Sequence, residues 1–105
     1  MTYDDLLSNE PIRAEIDVQI GDGSVHIVYD AARVSAMWLQ RAVTTPRKAL
    51  AEIIIGWDVT DREGNPILGA SVEEWERIFE PISIRAVIEP IVHAIIDDWR
   101  GGGKA

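Results

Sequence analysis

Cysteine is absent from this chain. Disulfides and thiolate metal sites are therefore excluded, and a reducing cytoplasm is the natural setting for a domain held together by its core alone. Apolar runs long enough to cross a bilayer are absent as well. Asp4 and Asp5 stand where a signal peptide would begin with basic residues, so the expectation is a soluble protein that stays where it is made. Basic residues are few: ten Lys and Arg face eighteen Asp and Glu, giving a formal net charge of −8. That balance argues against nucleic acid as the main partner, because phosphate binding depends on clustered cations. Catalytic signatures are missing too. There is no glycine-rich phosphate loop with its Lys and Ser/Thr, no nucleophile elbow, and no pair of histidines at ligand spacing. The residues thus predict no cofactor, no metal and no enzymatic activity.

What is present is a chain of 105 residues, enough for one domain with a modest core. Residues 1–12 are largely polar, with Leu6 and Leu7 as the only sizeable adjacent apolar pair and Pro11 interrupting any helix, and read as a flexible arm. Over 14–29 the pattern alternates. Ile16, Val18 and Ile20 fall on one face and Glu15, Asp17 and Gln19 on the other; Gly21-Asp22-Gly23 makes a tight turn, and Val25, Ile27 and Tyr29 return. A β-hairpin is predicted, with His26 as a solvated residue on its outer face. Residues 35–57 read as helices. Ser35 caps the first, where Val34, Met37, Trp38 and Arg41 share a face and Met37 and Trp38 are assigned to the core. Arg33, Arg41, Arg47 and Lys48 form a basic band that reads as a solvated face pairing with neighbouring acids.

The two halves of the chain join at Ile53-Ile54-Ile55-Gly56-Trp57-Asp58-Val59-Thr60-Asp61-Arg62-Glu63-Gly64-Asn65-Pro66. Leu50, Ile53, Ile54 and Trp57 recur at helical spacing, and Thr45-Pro46 is a start signal, so a helix is predicted from Pro46 through Trp57. The competing strand would place Ile53, Ile55, Trp57 and Val59 on one face, and three consecutive isoleucines favour it. On the helical reading Gly56 leaves with positive φ, Trp57 folds back as an anchor, and Asp58 and Asp61 bond free backbone N–H groups in an acidic loop over 58–70 that closes at Gly64 and Pro66. That loop fails the calcium template: with Gly64 at the sixth position, Val59 occupies the first, where an Asp is needed.

Residues 71–99 read as helices, opened by a capping box in which Ser71 bonds the N–H of Glu74 and Glu74 reaches back to Ser71. Pro81 breaks this helix and Ser83 caps the next. In the last helix Ile84, Val87, Ile88, Ile91, Val92, Ile95, Ile96 and Trp99 cover an arc of roughly 180°, wider than the ~100° stripe that buries one face. Pro90 should bend it, or a break at Glu89 should interrupt it. The surplus arc predicts that Ile88, Ile91, Ile95 and Trp99 contact a partner or another copy of the chain, with burial of the whole helix as the alternative. Residues 100–105 are a glycine-rich flexible tail. The expected fold is α+β: an N-terminal β-hairpin followed by about four short helices, with a mainly helical C-terminal half.

Gly56-Trp57-Asp58-Val59-Thr60-Asp61 followed by Glu63-Gly64-Asn65-Pro66, between an Ala/Leu/Ile-rich segment and short apolar helices, resembles the tail assembly chaperones of long-tailed, non-contractile bacteriophages. The resemblance covers most of the chain. It implies a protein of the infected host's cytoplasm, absent from the mature virion, that coats the largely helical tape measure protein and keeps it soluble while tail tube protein polymerises around it. It implies two lengths of product made by a −1 ribosomal frameshift, for which Gly103-Lys104 is the dipeptide one slippery run encodes. No catalytic residue is implied. Two other classes remain open: a small acidic inhibitor that mimics nucleic acid through Glu15 and Asp17, and a head–tail connector built into the particle.

Overall fold

The computed structural model describes residues 12–102; Leu6 and Leu7 of the arm, and Gly103-Lys104, lie outside them. The fold is α+β, a three-stranded antiparallel sheet with helices on one face. Strands β1 (Arg13–Ile20) and β2 (Gly23–Asp30) form the predicted hairpin, with Ile16 opposite Ile27 and Val18 opposite Val25. The link is the two residues Gly21-Asp22. Gly21 takes φ of 58° and no non-glycine residue among those described has positive φ, which is the pattern of a II′ turn and matches the twist of the strands. The inward set of this hairpin supplies Val18, Ile27 and Tyr29 to the core.

The join departs from its predicted helix. After a 3-10 turn (Ala31–Arg33), helix α1 (Ala36–Thr44) starts at Ser35, whose hydroxyl accepts from the Trp38 N–H at 3.2 Å. Helix α2 starts at Pro46 but ends at Ile53, and Ile54–Trp57 is strand β3, paired antiparallel with β2. The open edge of β2 decides this, since it satisfies backbone groups that a helix end would leave bare and suits β-branched isoleucines. A bulge does the rest. Trp57 stands opposite Ile27 and Ile54 opposite Tyr29, so β3 carries one more residue than β2 over that span, and Ile54 and Trp57 both turn inward despite their odd spacing. Gly56 therefore lies within a strand and does not take positive φ. The Thr45 side chain does not cap α2; it serves the end of α1 instead, its backbone N–H and hydroxyl both donating to the Arg41 carbonyl, at 2.7 and 3.2 Å.

The second half begins with α3 (Val72–Phe79), where Ser71 accepts from the Glu74 N–H at 3.2 Å. The returning carboxylate of Glu74 takes the N–H of Ala70, at 3.0 Å, in place of the expected Ser71. Ser83 caps a π turn (Ile84–Ile88) through the Ala86 N–H, and this runs directly into α4 (Glu89–Gly102). Glu89 is αR, so the chain does not break before Pro90. The wider turn accommodates the imide that a regular helix would ask to donate. Helix α4 continues past Trp99, through the first residues of the expected tail.

Helix α2 runs through the middle of the helical layer with Ala49, Leu50, Ala51 and Ile53 all buried, and α4 packs across β1. Trp38, Leu50, Phe79, Ile88, Ile91 and Ile95 are sealed in the same cluster as Ile27 and Tyr29. Each fully buried aliphatic side chain contributes about 1.5–3 kcal/mol.

Candidate interaction surface

Trp57 anchors the join as expected, through contacts that a strand makes available. Its indole N–H donates to the Ile67 carbonyl at 2.6 Å, tying the returning loop to β3. Its ring meets Trp75 and Phe79 of α3 edge-on, with centroids 5.6 and 5.4 Å away, and Trp75 stacks on Phe79 at 5.5 Å. Such aromatic pairs contribute about 0.5–1.5 kcal/mol beyond the area they bury. Gly69 lets the loop pass over this cluster: a Cβ there would lie 2.8 Å from Cγ of Trp75.

The two acids of the motif act on backbone. Asp58 accepts from the His26 N–H at 2.9 Å while its own N–H donates to the His26 carbonyl at 3.2 Å, so it extends the β2–β3 pairing beyond the strand. Asp61 accepts from the N–H groups of Glu63 and Asn65, both at 2.9 Å. The backbone N–H of Asn65 is the largest cause holding the Asp61 carboxyl below its ordinary range. Gly64 takes φ of 84° at the loop tip, and Thr60 bridges Pro66 as the loop closes. Gly56, Trp57, Asp58, Asp61, Gly64 and Pro66 thus belong to one hydrogen-bonded unit joining the sheet to α3.

The predicted contact residues are placed differently. Ile88, Ile91 and Ile95 have 0% exposure and belong to the core, which corrects their assignment to a surface. The wide apolar arc of the closing helix is covered within the domain, by β1 and by the neighbouring helices. Trp99 alone of the four reaches solvent, at 38% exposure.

Apolar surface lies instead along α1. Met37 is 70% and Val43 83% exposed, so Met37 is not the core residue the sequence suggested, whereas Trp38 is fully buried and donates its indole N–H to the Ala49 carbonyl at 2.8 Å. Trp38 and Ala42 turn inward at a spacing of four, which leaves Met37, Gln40, Val43 and Thr44 outside. Beside this face is a shallow groove of about 180 Å³ between α1 and α4, with Ala42, Val43, Val92 and Ile96 as its apolar wall and Glu89 and His93 on its rim. Trp99 follows Ile96 one turn further along α4.

The basic band is used inside the domain. Arg41 places Nε and Nη2 at 3.1 and 2.8 Å from Glu52, and Arg33 lies 3.3 Å from Asp30. Arg47 donates to the carbonyls of Phe79 and Ile82, at 3.0 and 2.7 Å, satisfying the C-terminal end of α3. The outer sheet face carries Glu15, Asp17 and His26. On the opposite face Tyr29 donates its hydroxyl to Asp98 of α4, and burial followed by that carboxylate pushes the phenol well above its ordinary range. Among the described residues, no group of three or more His, Asp or Glu side chains is arranged to hold a metal ion, and no helix is long and apolar enough to cross a membrane. No protein-family model, curated protein or solved structure matches the chain.

Proposed function

We propose that this chain is a tail assembly chaperone of the kind made by long-tailed, non-contractile bacteriophages, a binding protein with no catalytic role that holds the helical tape measure protein in solution. The observation that supports the reading is a set of exposed apolar side chains, Met37 and Val43 of α1 and Trp99 of α4, with Val43 lining the α1–α4 groove. A protein that shields an apolar helix needs such a face, and net charge of −8 keeps the resulting complex dispersed. The Gly56–Pro66 segment supports the reading through its sequence resemblance; its residues build the scaffold and leave client contact to α1 and α4.

The test is co-expression with a tape measure protein. The chaperone reading expects that protein in the soluble fraction only when this chain is present, and expects purified particles to lack the chain. Finding the chain in particles would replace the reading with that of a head–tail connector. Salt-sensitive inhibition of a basic enzyme, lost with Glu15→Gln and Asp17→Asn, would replace it with that of an acidic inhibitor, whose charged surface would be the outer sheet face.

A further inference from the structure

The outer face of the sheet carries a side-chain cluster that client binding does not use. In the β1–β2 register Asp17 lies directly opposite His26, and Glu15 lies opposite Val28. The imidazole is therefore flanked by two carboxylates: Asp17 reaches Nδ1 at 2.9 Å and Glu15 reaches Nε2 at 2.8 Å. A neutral imidazole has one N–H and one bare lone pair. In that form, one of the two contacts would press a lone pair against a carboxylate oxygen. Only the imidazolium donates from both nitrogens.

We propose that His26 is a proton-operated clip on the hairpin: its bound proton ties β1 to β2 across the outer face, and loss of that proton releases the tie. The clip is specific to register, because shifting the pairing by one residue would send His26 and the acids to opposite faces. It also sets the charge of that face. With the proton bound, Glu15, Asp17 and His26 together carry one negative charge; without it they carry two. The other charged groups near the ring are Asp58, whose carboxylate accepts from the His26 backbone N–H, and Arg13, which with His26 and Asp58 lines a separate groove along β2 and β3. Arg13 opposes protonation, but the acids outnumber it and two of them touch the ring. In keeping with this geometry the His26 pKa is raised above 6.5, by the hydrogen bonds to Glu15 and then Asp17. A raised folded-state pKa makes the contribution to stability complete below about 6.5 and removes it as pH climbs through the folded value.

The experiment is a pH titration of the two ring nitrogens of His26 in the intact, isotope-labelled chain, with His93→Gln used to assign the two histidines. Both nitrogens should be protonated through a midpoint above 6.5. Glu15→Gln and Asp17→Asn should each lower that midpoint, and the double variant should bring it back toward 6.5. These side chains are well exposed, so the variants retain the fold. Thermal unfolding should show wild type ahead of His26→Gln at about pH 6, where the carboxylates are ionised and the imidazole is protonated, with the difference vanishing above the midpoint. A midpoint at or below 6.5, a midpoint unmoved by both acid variants, or a wild-type advantage that persists at high pH would overturn the proposal.

Discussion

Replacing Gly69 by alanine puts the packing of the join to a direct test. The added methyl would sit 2.8 Å from Cγ, 2.9 Å from Cδ1 and 2.9 Å from the backbone nitrogen of Trp75. Carbon atoms in ordinary contact lie about 3.5–4.0 Å apart, so something must move by close to 1 Å. Neither neighbour yields easily. The Trp75 ring is held by Trp57 and Phe79, and its backbone N–H donates to the Ser71 carbonyl at 3.0 Å in the first turn of α3. Overpacking of this kind costs about 1–3 kcal/mol, which for a domain of this size lowers the thermal midpoint by about 5–15 °C. Thermal unfolding followed by far-UV circular dichroism measures the loss, and tryptophan fluorescence of the folded state reports the disturbed cluster. Gly101→Ala is the control: it sits in α4 with nothing within 4 Å of the new Cβ, and it should be neutral or gain up to about 1 kcal/mol. A Gly69→Ala protein as stable as wild type would refute the packing argument.

Trp57→Phe keeps a ring against Trp75 and Phe79 but leaves the Ile67 carbonyl without its indole donor; a loss of about 1–2 kcal/mol in denaturant unfolding is expected, larger than for an exposed aromatic. Asp61→Asn should change the acid limb of stability. The folded carboxyl titrates below its ordinary 3.8, so its contribution is present above that value and disappears as pH falls through the folded pKa; the gap between wild type and variant should close in acid. Met37→Asp with Val43→Asp should leave the thermal midpoint within a few degrees of wild type, whereas Ile91→Asp should abolish cooperative unfolding by placing a charge in the core.

These contrasts follow from where periodicity could and could not be read. The hairpin was legible because Ile16, Val18, Ile20 and Ile27 alternate with polar residues and a two-residue glycine turn fixes the register. Ile53-Ile54-Ile55 fits an extended pattern as well as the helical one that the spacing of Leu50, Ile53, Ile54 and Trp57 favours, and the helical reading fails from Ile54 onward. What resolved it was the vacant edge of β2, 25 to 30 residues away and invisible to local spacing. Bulged pairing then gave Ile54 and Trp57 a common face that neither simple period predicts. The closing helix was misread for a related reason. Its arc is wide because β1 and the helical layer approach from different directions, so surplus apolar width signalled two neighbours within the chain. Met37 was hidden by its neighbour Trp38: both fit an apolar face at helical spacing, but this helix turns Trp38 and Ala42 inward, which leaves Met37 outside. The clip at His26 was partly visible: alternation put Glu15, Asp17 and His26 on one face, but only the register shows the ring caught between the acids.

The proposal that α1 and α4 present the client surface is tested most directly by mapping backbone amide shifts of the labelled chain as a helical segment of the tape measure protein is added. The perturbed amides should cluster around Met37, Val43, Ile96 and Trp99, with the sheet unchanged. Perturbations confined to the outer sheet face around Glu15 and Asp17, or none at saturating segment, would contradict it.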